Sequence, residues 1–487
     1  MTRRARRCSA AVAASAVVLT LGSPAALAPP VLAQPAPTPT PSPSYTTPAP
    51  PDPLITPTAL PIAPDAPTVR TNVACVQAAP GTAGSTIAAV PWGQSQLRFE
   101  DAWALSTGAG VPVAVIDTGV NAHPRLAGRL APGGDYVSDS QGLTDCDGHG
   151  TIVAGIIAAS VDTTEQTGFA GVAPGATIIS IRQSSKYYET VGQQGSGTVG
   201  YGNLNTLARS VTRAVELGAR VINISEAACA PANVRLQDSA LGAALRQAAD
   251  RDVVVVAAAG NTGAGSAGAC QTQNSTSPSQ PGVAGRSAVA TIVSPAWYSD
   301  SVLTVGAVAE DGSPSDFSLA GPWVGVAGPG EDITSLDPAP GATGLTNRLA
   351  EPPGLKLAPI QGTSFAVPYV AGTAALVRAR FPNLSAKQVV ARIKATARTP
   401  SGGWTPQVGH GVVDPVAAVA DVLPEEVSAQ SASTSTTQLS APPPAPAPDH
   451  TARTVAFVGS ATALALVLIT FAVLDAVRRH RRNQQPD

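Results

Sequence analysis

Four residues of this 487-residue chain are of the types that acyl transfer requires: Asp117, His149, Asn261 and Ser364. That chemistry needs a serine nucleophile, an imidazole to take its proton, a buried carboxylate to fix the imidazole tautomer and a donor for the tetrahedral oxyanion. Ser364 lies in Gly362-Thr363-Ser364-Phe365-Ala366-Val367-Pro368, at the head of an Ala/Val/Leu-rich stretch with the apolar spacing of a buried helix. A helix start offers unpaired N–H groups and the positive end of the macrodipole, which favour negative charge developing beside it. Gly362 leaves the backbone uncovered for an approaching carbonyl. Pro368 falls near the helix start, where a missing N–H costs less than in mid-helix.

The elements around these residues point to one rim. Asp117 closes the apolar run 111–116, and Gly260-Asn261 follows the run 252–259 with its four consecutive valines. Such runs suit strands buried on both faces, as in a parallel sheet. In an open α/β sheet the C-terminal strand edge forms the ligand crevice. His149 begins an apolar helix that runs to residue 160. Each residue has a commonplace alternative taken singly. A strand-ending Asp caps turns, a His beside Asp145 and Asp147 suits a polar loop or a metal site, and Asn after Gly is a turn residue. Gly-Thr-Ser can merely cap a helix. The four contexts together argue against coincidence.

Further strands are expected at 177–181, 220–225, 302–308 and 323–327, with helices at 204–217, 236–250 and 384–397, the last capped by Ser385. Alternating strands and helices imply an α/β domain with a mainly parallel sheet over residues 97–424. A short helix is expected at 98–103. Stretch 183–203, rich in Gly, Gln and Ser, reads as a surface loop, 263–298, rich in Gly, Ser and Pro, as an insertion, and 331–359 as a second insertion. There is no internal repeat.

The flanks carry no core. Arg3, Arg4, Arg6 and Arg7 precede an apolar run at 10–21 and a small-residue site at Val31-Leu32-Ala33, the pattern of an export signal over residues 1–33. Cys8 would leave with that signal, and the even count that remains, Cys75, Cys146, Cys229 and Cys270, favours disulfides in an exported protein. Residues 34–96 form a proline-rich arm, extended and without a hydrophobic period. A Pro/Ser/Thr-rich linker at 425–453 leads to an uncharged 20-residue run at 455–474, within an expected membrane helix at 454–475. The tail, 476–487, carries Arg478, Arg479, Arg481 and Arg482; the positive-inside rule keeps it cytoplasmic and puts the rest of the chain outside. The net charge of −2 gives no reason to expect a nucleic-acid partner. Asp145 and Asp147 have no ordered ligand spacing, so neither calcium nor another cofactor is expected.

Asp117-Thr118-Gly119, His149-Gly150-Thr151 and the Gly362–Pro368 segment resemble the three catalytic motifs of the subtilisin family, and Ala258-Ala259-Gly260-Asn261 resembles its oxyanion-hole motif. The order Asp, His, Ser agrees with that family and differs from the chymotrypsin and α/β-hydrolase orders. The order of signal, arm, protease domain, stalk, membrane helix and basic tail is similar to the mycosins, membrane-anchored proteases of type VII secretion. The resemblance implies that His149 is the general base oriented by Asp117, that Ser364 attacks the scissile carbonyl, and that Asn261 with the Ser364 N–H holds the oxyanion. It implies that Ser225 and Glu226, with Gly260, bind an extended peptide. Here Ser225-Glu226-Ala227 replaces the family's usual Ser-Leu-Gly, which should narrow the primary pocket and restrict substrates. The family's sheet order sets Cys229 beside Cys270, leaving Cys75 for Cys146, although four cysteines allow three connectivities. The arm is too proline-rich for the family's compact inhibitory pro-domain and is expected to stay attached, wrapped on the domain. The resemblance implies a narrow endopeptidase acting on exported proteins beside secretion-system membrane subunits; the alternative is a structural component of that complex with a restrained site.

Overall fold

The computed structural model describes residues 58–79, 87, 89–164, 166–193, 200–263, 270–276, 289–350, 356–423 and 451–482. The expected export signal with Cys8, the first part of the arm, most of the linker and the end of the tail lie outside the described residues. The chain divides into two compact units, Met1–Asp421 and Val422–Asp487.

Within the first unit, seven strands make one sheet: β1 (Pro112–Asp117), β2 (Leu130–Asp135), β3 (Thr177–Arg182), β4 (Val221–Ile224), β5 (Val254–Ala258), β6 (Leu303–Val308) and β7 (Val324–Pro329). Their order is β7-β6-β5-β4-β1-β3-β2, and every neighbouring pair is parallel. The chain builds β2 and β3 to one side of β1, then turns and builds β4 to β7 outward on the other. That reversal opens a crevice at the C-terminal ends of β1 and β4.

The sheet is covered on both faces, and its central strands send apolar side chains alternately to the two sides. Val254, Val256 and Ala258 enter one core, while Val253, Val255 and Ala257 enter the other. The first core also takes α1 (His149–Ala158), α4 (Thr363–Arg380) and α5 (Ala386–Ala395); the second takes α2 (Leu204–Glu216) and α3 (Ser239–Asp250). Each fully buried valine contributes ~1.5–3 kcal/mol of hydrophobic stabilisation. Ser385 caps α5 with a reciprocal Gln388 box.

Several local expectations need correction. The edge strand β2, Leu-Ala-Pro-Gly-Gly-Asp, has no apolar run; it tolerates Pro132 at the sheet margin, with a register shift before Gly134. The helix expected at 98–103 is an α-helix at Trp92–Leu97 and a 3₁₀ turn at Phe99–Ala104, separated by Arg98 at φ 52°. The loop stretches are not merely superficial. Strand Tyr188–Thr190 lies in the first, and Thr291–Ser294 with fully buried Trp297 in the second. Ile333, Leu336 and Leu345 of the third reach the first core.

The described part of the arm lies on the domain. Thr68–Arg70 pairs antiparallel with Tyr188–Thr190, and Gln77–Ala79 with Arg348–Ala350. Asp65 meets Arg209 of α2 at 2.5 Å, and the Ala59 carbonyl accepts from Tyr136 Oη at 2.9 Å. Cys75 is bonded to Cys146, and Cys229 to Cys270. In the second unit, α6 (Thr451–Arg482) contains a 25-residue stretch, Val455–Arg479, whose most apolar 18 residues have a mean hydropathy of 2.4. By length and composition that stretch can cross a membrane.

Candidate active site

Asp117 ends β1 with its side chain fully buried. Its Oδ1 accepts from the Thr118 N–H at 2.8 Å and lies 2.7 Å from His149 Nδ1. An imidazole held through Nδ1 by a carboxylate presents Nε2 to the crevice. His149 is the first residue of α1, so the helix must come close to the turn after β1. Gly150 permits this, since a Cβ there would lie 2.0 Å from the Gly119 carbonyl oxygen.

Asp145 ties this helix start down. Its Oδ1 accepts from Thr118 Oγ1 at 2.8 Å and from the Gly148 N–H at 2.7 Å, and its Oδ2 from both Thr151 N–H and Oγ1. Asp147 accepts from Ser185 Oγ at 2.6 Å and the Lys186 N–H at 2.7 Å, and burial pushes its carboxyl up to about 6. Both acids therefore hold loops together.

Ser364 is the second residue of α4. Gly362, at φ 148°, takes a backbone conformation that side chains disfavour. A Cβ there would stand 3.1 Å from Ser364 Oγ and 3.5 Å from Asn261 Nδ2, so both groups front the space that glycine leaves open. Asn261 Oδ1 accepts from the Thr363 N–H at 2.9 Å and Thr363 Oγ1 at 3.0 Å. With its oxygen so engaged, the amide offers Nδ2 as donor. The Phe365 ring lies 4.9 Å from the His149 ring, centroid to centroid. Gly260 precedes Asn261 and is backed by the Cys229 and Cys270 sulfurs. Pro368 is the sixth residue of α4, deeper than the sequence suggests.

Ser225-Glu226-Ala227 leaves the end of β4, beside β1. Ser225 Oγ donates to the Ser364 carbonyl at 2.8 Å and accepts from Asn223 Nδ2 at 2.9 Å. Glu226 accepts from Ser184 Oγ at 3.0 Å. Ligand atoms of Asp117, His149 and Glu226 lie within 4.8 Å of one another, so a cation held there would compete with the Asp117–His149 bond. Burial raises the Glu226 carboxyl above its ordinary range, and the Asp117 and Asp147 charges add to this, against an opposing pull from His149. For His149, burial is the largest influence and lowers its pKa. The Asp117 charge and hydrogen bond, with the Glu226 charge, outweigh burial and push the imidazole up to about 9. Sequence alone assigns no role to Thr363, Asn223 or Ser184. The legible signal for Asn223 was a polar residue inside the apolar strand Val-Ile-Asn-Ile.

Residues 108–411 match the model of the subtilase family, Peptidase S8. The chain is 48% identical to Mycosin-4 of Mycobacterium tuberculosis over 388 residues, covering 79% of this chain and 82% of the relative. The solved MycP3 protease from the type VII (ESX-3) secretion system is 42% identical with a TM-score of 0.65, covering 78% of this chain and 99% of that one. A chain in the intact ESX-5 inner membrane complex is 39% identical with a TM-score of 0.66, covering 88% of this chain and 98% of that one.

Proposed function

This chain belongs to the subtilase family, and from that membership we propose that it is a membrane-anchored serine endopeptidase of narrow specificity that processes proteins exported by a type VII secretion system. The observation that carries the reading is the Asp117 Oδ1–His149 Nδ1 bond of 2.7 Å, set across the crevice from a helix start where Ser364 Oγ and Asn261 Nδ2 front one vacant space.

His149 Nε2 takes the Ser364 hydroxyl proton as Oγ adds to the scissile carbonyl carbon. The carbonyl π electrons move onto oxygen, where Asn261 Nδ2 and the Ser364 N–H hold the charge. The imidazolium, stabilised by Asp117, gives its proton to the departing amine as the C–N bond breaks. Water, deprotonated by the same ring, then releases the acyl group. The peptide lies extended beside residues 225–227, exchanging backbone hydrogen bonds. Glu226 in place of an apolar residue, and Ala227 in place of glycine, narrow the range of peptides that fit.

Helix α6 anchors the chain with the protease domain outside and the basic tail in the cytoplasm. The relative within the ESX-5 inner membrane complex favours a second role beside catalysis, as a structural subunit among membrane partners of that secretion type. Comparing wild type with Ser364→Ala in the native cell tests both. Unprocessed substrates with continuing secretion support the peptidase with a separable structural role. If deletion stops secretion while Ser364→Ala changes neither secretion nor processing, the structural role stands alone.

A further inference from the structure

We propose that Ser225 is a positioning residue for the nucleophile, supplying to the Ser364 carbonyl the hydrogen bond that Pro368 removes from helix α4. The proposal rests on the serine-peptidase reading above. In an α-helix the N–H of residue 368 returns to the carbonyl of residue 364. Proline has no N–H, and its ring crowds that carbonyl. The carbonyl at issue belongs to Ser364, which is 8% exposed, so water has little access to replace the lost donor.

Ser225 Oγ occupies that place. It lies 2.8 Å from the Ser364 carbonyl oxygen, although 139 residues separate the two in sequence. Its own orientation is set by Asn223, whose fully buried amide donates to Ser225 Oγ at 2.9 Å. A serine hydroxyl has one proton, and with its oxygen accepting from Asn223 that proton is directed at Ser364. On the other flank, the Thr363 N–H is bonded to Asn261 Oδ1 at 2.9 Å. The two peptide planes that bracket residues 363 and 364 are thus each fixed by a side chain from a neighbouring strand end. The bracketed segment carries both the attacking oxygen and the backbone donor for the oxyanion.

The test is a double-mutant cycle on the full-length protein in detergent, read as the rate at which a fluorophosphonate labels Ser364. This small probe does not occupy the peptide strand, so the readout separates positioning from substrate pairing. Ser225→Ala leaves a buried acceptor unpaired. Labelling should slow about tenfold, equivalent to ~1.4 kcal/mol. In a Pro368→Ala background the helix supplies its own N–H, and Ser225→Ala should then cost less than about threefold. Melting temperatures of the four proteins accompany the rates. A Ser225→Ala protein that fails to fold while the double variant folds and labels supports the same coupling. Equal losses in both backgrounds, no loss with Pro368 present, or failure of both Ser225→Ala proteins to fold overturns the proposal. A wild type that the probe does not label at Ser364 overturns the serine-peptidase reading, and this proposal with it; a labelled wild type with a flat cycle overturns the positioning role alone.

Discussion

Replacing Glu226 by glutamine removes one carboxylate from beside His149 and should shift the pH dependence of nucleophile reactivity to lower pH. The imidazole acts as a base only when neutral, and its neighbours push it up to about 9. At pH 7 only roughly 1% of the rings are then in the reactive form. Coulomb's law at the outer separation of 4.8 Å and an effective dielectric of ~20 gives about 3.5 kcal/mol, or about 2.5 pH units for a full charge. Two features reduce it. The His149 side chain keeps 23% of its surface open to water, and Glu226 follows Asp117 in its influence on the ring. A fall of about one unit is expected, raising labelling at pH 7 about tenfold while leaving the rate above pH 10 unchanged. The assay is the fluorophosphonate labelling rate of Ser364 from pH 6 to 10.5. A midpoint that stays in place or moves upward refutes the reasoning, since it would mean that the Glu226 charge does not reach the ring.

Asn261→Ala should lower turnover about 100- to 1,000-fold with little change in KM, the loss known for the corresponding donor in subtilisin; steady-state kinetics on a processed substrate decides it. Cys75→Ser opens a bond spanning 71 residues, and loop-closure entropy then predicts a stability loss of about 4 kcal/mol. Thermal unfolding with and without reductant measures it, and a non-reducing peptide map showing Cys75 joined to another cysteine would remove the premise.

The site was legible where residue type and strand ending coincided. Asp117 and Asn261 could be placed on one rim because strands buried on both faces are uniformly apolar, and the polar residue that ends such a strand stands out. Edge strand β2 escaped because Pro132, Gly133 and Gly134 are tolerated only where one side has no neighbour, a tertiary fact absent from local sequence. The strands in the loop stretches escaped for a related reason. Tyr188–Thr190 and Arg348–Ala350 are too short for a period, and their partners lie in the arm. Sequence places Ser225 only within an expected peptide-binding strand. Its bond to Ser364 was not legible, because it depends on how deep in the helix Pro368 falls.

The way the arm docks also sets an order of events in the making of the molecule. Val69 pairs with Glu189 and Ala78 with Leu349, positions that leave the ribosome 120 and 271 residues afterwards. At synthesis rates of about 5–20 residues per second, the segment made first waits on the order of ten seconds or more for its last partner. Contacts this distant in sequence form slowly, and an unpaired strand that waits invites association with other chains. Pro61, Pro64 and Pro67 limit that hazard on the N-terminal side of Thr68–Arg70, where missing N–H groups keep a stray pairing from extending. The same proline content that denies the arm a fold of its own keeps it available until the domain is ready to receive it.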